Sequence, residues 1–196
     1  MRSEYSKAFI KEIGQVSYRT STTDVFSDFV KIFSLEMELS TVLKSEDINR
    51  VKDLHAGLVG KYSEADRKHF GNMSFLVSEA LTAKRESFLG PVLEEIGAAN
   101  KTNGQFLTPN CLAKVMADVN IGDEPVEPGK IVDVCDPACG AGVTLIAQGE
   151  EMLQRGYRQS DILLTGVDID GRACDITYIE LTLLGYAGIV LHGNAL

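Results

Sequence analysis

From the N-terminus to about residue 100, apolar positions recur at three- and four-residue spacing. There is no strand alternation, no proline before Pro91 and no Pro- or Ser-rich linker, so this stretch is expected to be helical. Thr23-Asp24 is expected to cap a helix running to about Val42. Val25, Phe29, Ile32, Phe33 and Leu39 line its apolar side, and Glu36 is the one polar exception. Ser45 or Asp47 starts the next helix, in which Ile48, Val51, Leu54 and Leu58 keep the period up to Gly60. Ser63-Glu-Ala-Asp66 reads as a capping box opening a long helix towards Arg85. Three to five helices result, with Phe26, Phe29, Phe33, Phe70, Met73 and Phe75 assigned to the packing between them.

The pattern changes after Asn100-Lys-Thr-Asn-Gly104, a polar turn-forming cluster. Thr108 and Pro109, followed by Leu112, Val115, Met116 and Val119, predict a helix that Thr108 caps and in which Pro109 takes the first position. A loop from Gly122 to Gly129, rich in Gly, Asp, Glu and Pro, leads into the β-branched run Ile131–Cys135 and a turn over Asp136–Gly142. A helix from Val143 to about Arg155, stopped at Gly156, connects this strand to a second buried strand, Asp161–Asp168. Asp170 is expected to cap the next helix, Arg172 to Leu184. The unit is βαβ, and the expected fold class is α/β. A helical subdomain over 1–100 precedes a doubly wound sheet domain over 101–196.

With 44% hydrophobic residues over 196 positions, the chain has enough apolar side chain for a core. Its apolar runs are broken well short of the ~18 residues of a membrane span. The segment Met1-Arg-Ser-Glu-Tyr lacks an apolar signal core, so a cytoplasmic location without membrane contact is expected. Cys111, Cys135, Cys139 and Cys174 form no Cys-x-x-Cys pair and have no histidine at zinc spacing. Reduced thiols and no metal are therefore expected, with Cys135 and Cys139 as small fillers around the turn. The net charge of −9 is uneven. Residues 1–100 hold 13 Lys and Arg against 15 Asp and Glu, or −2, and residues 101–196 hold 6 against 13, or −7. The second half alone is thus poorly suited to grip phosphates, and other surfaces would have to hold any nucleic acid.

That acidic half carries the chemistry. Gly140 and Gly142 can take positive φ and let a ligand approach the backbone, while the N–H groups that start the following helix face the same space. A loop built for a pyrophosphate collects anions, so the carboxylate of Asp136 at its entrance points instead to a ligand with a cationic or amine-bearing centre. S-adenosylmethionine has both a sulfonium and an amine. Asp168, at the tip of the second strand, stands where nucleotide-binding sheets hydrogen-bond ribose hydroxyls, and Ile169 offers an apolar face for an adenine ring.

The ordered segments Gly104-Gln-Phe-Leu-Thr-Pro109, Asp136-Pro-Ala-Cys-Gly-Ala-Gly142, Gly166-Val-Asp-Ile-Asp170 and His192-Gly-Asn-Ala-Leu196 resemble the motifs of N6-adenine DNA methyltransferases. The nearest group is the modification subunit of type I restriction-modification systems. The resemblance covers about residues 100–196 and implies S-adenosylmethionine as cofactor. It assigns the methionine end to the loop with Gln105, Phe106, Thr108 and Pro109. The turn of Asp136, Pro137, Ala138, Cys139, Gly140 and Gly142 would wrap the cofactor, and Asp168 would bind ribose. Asn194, where the family usually has an acid, and Ala195 complete the implied cofactor set; an amide can still both donate to and accept from an adenine edge. His192, a lone strand-end histidine, is assigned a structural role.

The family's Asn/Asp-Pro-Pro-Tyr/Phe segment, which holds the target amine and stacks on the flipped base, is not found in these 196 residues. No catalytic residue is therefore assigned in this chain, which is expected to bind cofactor without turnover. Two readings follow: the cofactor-binding part of a DNA adenine methyltransferase, or a non-catalytic S-adenosylmethionine-binding decoy that engages a restriction-modification complex. The implied partners are DNA, reached through a specificity subunit or a missing C-terminal part, and a protein partner or second copy. One sheet edge and one sheet face are expected to lie open.

Overall fold

The structure is a computed structural model that describes residues 4–17, 21–40, 45–97, 108–122, 126–127 and 129–195. Among the described residues, five helices occupy the first part: α1 (Glu4–Gln15), α2 (Thr22–Ser40), α3 (Ser45–Val59), α4 (Glu64–Ala83) and α5 (Leu89–Gly97). Their ends are set by local polar chemistry. Ser63 and Asp66 form the expected capping box at the start of α4. Asp66 also accepts from the backbone N–H of Ser17 at 2.7 Å and from its hydroxyl at 2.9 Å, which ties the exit of α1 to α4. Those donors hold the Asp66 carboxyl down at about 2. At α2 the cap lies two residues ahead of the expected Thr23-Asp24. Ser21 and Asp24 bond reciprocally, with the Asp24 N–H donating to the Ser21 hydroxyl at 3.1 Å.

The bundle is packed by edge-on aromatic contacts. Phe9 meets Phe26, Phe29 and Phe88 with ring centroids 6.1, 5.4 and 5.8 Å apart, and Phe29 also meets Phe70. Phe75 departs from its assignment. It faces outward, 63% exposed, because the inward side of α4 is filled by Phe70, Met73, Val77 and Leu81.

Strands β1 (Val132–Asp136), β2 (Ile162–Asp168) and β3 (Ala187–His192) form a parallel sheet in the order β1-β2-β3. Helix α7 (Val143–Gln154) links the first pair and α8 (Gly171–Leu183) the second. Gly156 ends α7 at φ 94, where the Tyr157 N–H returns to the Met152 carbonyl, as expected of a glycine stop. Register places Ile162, Leu164 and Gly166 on one face with Gly188 and Val190. A Cβ on Gly166 would meet Leu145 of α7 at 3.0 Å, and one on Gly188 would meet Leu181 of α8 at 3.1 Å. Both helices therefore cover the same face. Cys135, Ile189 and Leu191 on the opposite face are exposed. The architecture is one half of a doubly wound sheet.

The helical part packs on the outer side of α8, and a single apolar core runs from Phe9 and Phe29 through Leu89, Ile176 and Ile179 to Leu164. Glu180 of α8 is buried in this junction. Its Oε1 accepts the N–H groups of Phe88 and Leu89, at 2.8 and 2.6 Å, and so holds the start of α5 from outside its own sequence. Burial pushes its carboxyl up to about 7, against those two bonds.

Helix α6 (Asn110–Ile121) lies along α7, with Ala113 and Ala117 packed on Val143 and Ala147. Two expectations fail here. Pro109 is the N-cap rather than the first helical residue, its carbonyl accepting from Leu112 and Ala113, and among the described residues no side chain caps this end. The larger apolar residues Leu112, Val115 and Val119 face outward at 49–73% exposure and Met116, 41% exposed, borders an open cleft, because a close approach to α7 selects the alanine side. The expected domain boundary near residue 100 lies outside the described residues.

Candidate cofactor site

The ends of all three strands meet in one place, and the hydrogen bonds that bring them together begin at Asp136. One of its oxygens, Oδ1, accepts the Ala138 N–H at 3.0 Å, closing a turn on its own backbone, and the other accepts the hydroxyl of Thr144 on α7. This carboxylate shapes the loop as well as lending it negative charge. The chain then passes over the tip of β2, where the Cys139 N–H donates to the Val167 carbonyl at 3.0 Å. Gly140 sits at φ 53 and Gly142 at φ 75, left-handed conformations that glycine adopts without a Cβ clash.

Asp168 holds the loop from the neighbouring strand. Its Oδ2 accepts the Gly140 N–H and its Oδ1 the Asp170 N–H, both at 2.8 Å. Its carbonyl accepts from Gly193 at 2.9 Å, just beyond β3. The ring Nε2 of His192 lies 3.0 Å from the Ile169 carbonyl, so this histidine bonds the backbone of the neighbouring loop. Asp170 caps α8 through the Arg172 N–H at 2.9 Å, as its position implied.

Exposure distinguishes the residues that build this loop from those that present a surface. Cys139 is buried, and burial pushes its thiol up to about 12, so it is a packed filler and not a nucleophile. Cys135 does not share that role, since it lies on the open face of the sheet and is exposed. Pro137 and Ala138 are exposed at the rim, as are Asn194 and Ala195. Ile169 is 72% exposed at the tip of β2.

Of the residues expected at the methionine end, Gln105 and Phe106 lie outside the described residues. Thr108 and Pro109 are at the start of α6. A cleft of about 180 Å³ separates that helix from the sheet, with Ala113, Met116 and Asn120 on one wall and Cys135, Asp136, Pro137 and Thr144 on the other. Two threonines at the site escaped sequence reasoning. Thr144 follows Asp136 by eight residues, a spacing with no periodic signal, and Thr177 is on the far helix.

The arrangement offers backbone N–H groups at a helix start, carboxylate oxygens at two adjacent strand tips and one apolar side chain between β2 and β3. That set suits a nucleoside-bearing ligand with a positively charged portion.

Residues 90–196 match the family model described as N-6 DNA Methylase. The chain is 31% identical over 131 residues to the methylase subunit of the type I restriction enzyme MjaIX of Methanocaldococcus jannaschii. That alignment covers 67% of this chain and 21% of that protein, so the chain spans about a fifth of the length of this curated relative. Two solved structures share the fold at low identity. A putative class I S-adenosylmethionine-dependent methyltransferase from Listeria monocytogenes superposes with a TM-score of 0.55 at 16% identity, covering 99% of this chain and 55% of that one. The methyltransferase subunit of a type I restriction-modification system from Streptococcus thermophilus gives 0.52 at 12% identity, covering 97% and 58%.

Proposed function

The chain belongs to the N-6 DNA methylase family, and from that premise we propose that it is the S-adenosylmethionine-binding part of a DNA adenine-N6 methyltransferase. The intended whole is of the type I modification-subunit kind. The observation that carries this reading is the joining of two strand ends: the Asp168 carboxylate holds Gly140 of the loop that Asp136 opens.

The residues fit the cofactor. Asp168 keeps acceptor lone pairs beyond the two N–H groups it receives, which ribose hydroxyls can use. Ile169 offers its exposed side chain to the adenine ring, and Asn194 and Ala195 stand beyond the adjoining strand to border it. Asp136, Pro137, Ala138, Cys139, Gly140 and Gly142 form the wrapping loop. Gln105, Phe106, Thr108 and Pro109 take the methionine end. When bound, S-adenosylmethionine supplies an electrophilic methyl group activated by its sulfonium. This chain's residues bind and orient it, and they present carboxylates rather than cations to that positive centre.

The 196 residues contain no Pro-Pro pair, hence no clamp for a flipped base, and turnover is assigned to the whole enzyme rather than to this segment. DNA is reached in company with a specificity subunit, because in the 101–196 half 6 Lys and Arg are outnumbered by 13 Asp and Glu, a balance of −7 that disfavours a grip on phosphates. Among the described residues no helix is long and apolar enough to cross a membrane.

Calorimetric titration with S-adenosylmethionine and S-adenosylhomocysteine tests the reading. Dissociation constants of roughly micromolar order are expected. A folded sample that takes up neither would defeat it.

A further inference from the structure

Resting on that cofactor reading, we infer that Thr177 is a positioning residue for the glycine loop: its buried hydroxyl fixes the orientation of the Gly140 peptide against which the cofactor binds. Thr177 is on α8, outside the motifs, and is 0% exposed. Its Oγ1 donates to the Gly140 carbonyl at 2.9 Å, while the Gly140 N–H donates to Asp168 Oδ2 at 2.8 Å. Both polar groups of one glycine are thus held, the carbonyl from a helix and the N–H from a strand tip.

The destination of that hydroxyl is informative. Helical Ser and Thr commonly bond the carbonyl four residues back, and Ser74, Ser78 and Thr82 on α4 do so. The Thr177 hydroxyl leaves its helix and crosses to the loop. Glycine at φ 53 has wide torsional freedom, so without this anchor the peptide following Gly140 can rotate and present its carbonyl where an N–H is needed. The same side chain fixes the next glycine by contact. A Cβ on Gly142 would lie 2.9 Å from both Cγ2 and Oγ1 of Thr177. The Cys139 thiol also approaches the Gly140 carbonyl, at 3.6 Å, but a thiol is a weak donor and cannot replace the hydroxyl.

The experiment compares wild type, Thr177→Val and Thr177→Ser by titration with S-adenosylhomocysteine, thermal melting and amide hydrogen exchange at Gly140 and Ala141. Thr177→Val keeps the shape and removes the donor. It should weaken binding roughly tenfold and speed exchange at the two loop amides. Thr177→Ser keeps the donor and should stay within about threefold of wild type, with slow loop exchange. Equal affinity for Thr177→Val and wild type overturns the inference. Equal losses in the Val and Ser variants overturn it too, because the methyl group and not the hydroxyl would then matter. Should Thr177→Val not fold, Thr177→Ala against Thr177→Ser carries the same contrast. A wild-type chain that binds nothing overturns the cofactor reading instead, and the exchange rates still decide whether the hydroxyl holds Gly140.

Discussion

Phe29, inside the helical bundle, is 1% exposed and meets the rings of Phe9, Phe33 and Phe70, whereas Ile169, at the tip of β2, is 72% exposed. The two regions treat their acids as differently. Asp66 and Glu180 are buried where helices join and are occupied with structural N–H groups. Asp136 and Asp168 also hold backbone, but they remain partly open at the mouth of a loop. At these buried junctions of the bundle, apolar surface and charge are taken up by the fold, although Phe75 on its outer side stays exposed. At the strand tips an apolar side chain stays in water and carboxylates keep spare acceptor capacity, the features on which the proposed cofactor site rests.

If that contrast holds, stability and cofactor affinity are separable by mutation. The largest effect is expected in the bundle. Phe29→Ala removes a ring from a fully packed cluster and should cost about 3–5 kcal/mol of unfolding free energy in a denaturant titration. Glu180 comes next and is specific in its pH window. Its folded carboxyl stands at about 7 instead of the ordinary 4.5, so the folded state prefers the neutral form. That contribution is full below pH 4.5 and is lost as pH rises through 7. At about 1.4 kcal/mol per pH unit the loss is bounded near 3 kcal/mol. Glu180→Gln should flatten the decline in melting temperature over that window; an unchanged slope would place its cause elsewhere.

Asp168→Ala acts on the other region. It should weaken S-adenosylhomocysteine binding by roughly 1–3 kcal/mol with a smaller change in melting temperature. Unchanged binding would remove Asp168 from the ribose role. The smallest effect belongs to Ile169→Ser, which should leave melting within a degree or two while lowering affinity by about 1 kcal/mol. A stability loss as large as that of Phe29→Ala would erase the distinction between the regions.

Several helical ends, though not the starts of α2 and α6, and the strand–loop–helix order were legible because each depends on residues a few positions apart. The Ser63-Asp66 box, the Gly156 stop and the Asp170 cap are of this kind. Periodicity alone was less dependable about direction. It put Phe75 in the core and read Leu112, Val115, Met116 and Val119 as the packed side of α6, yet these side chains are exposed. An apolar repeat states that a helix has a face. Which face a neighbour covers depends on the size of the side chains at the crossing, and Ala113 and Ala117 allow α7 closer than leucine or methionine would. Pro109 and Cys135 were misjudged for a related reason, since a cap and a filler are defined by what lies opposite them.

By itself, the sequence determined that this chain has a helical first half and a βαβ second half, and its ordered motifs pointed to the N-6 DNA methylase family that residues 90–196 match. Tertiary structure alone decided that Asp168 reaches across to Gly140, that Thr177 meets the same glycine from the far helix, and that Glu180 starts a helix ninety residues away. The reason is range. Backbone propensity and capping act within a turn or two of chain, whereas a buried hydroxyl or carboxylate takes whichever partner packing brings within 3 Å, and no spacing along the sequence records that choice.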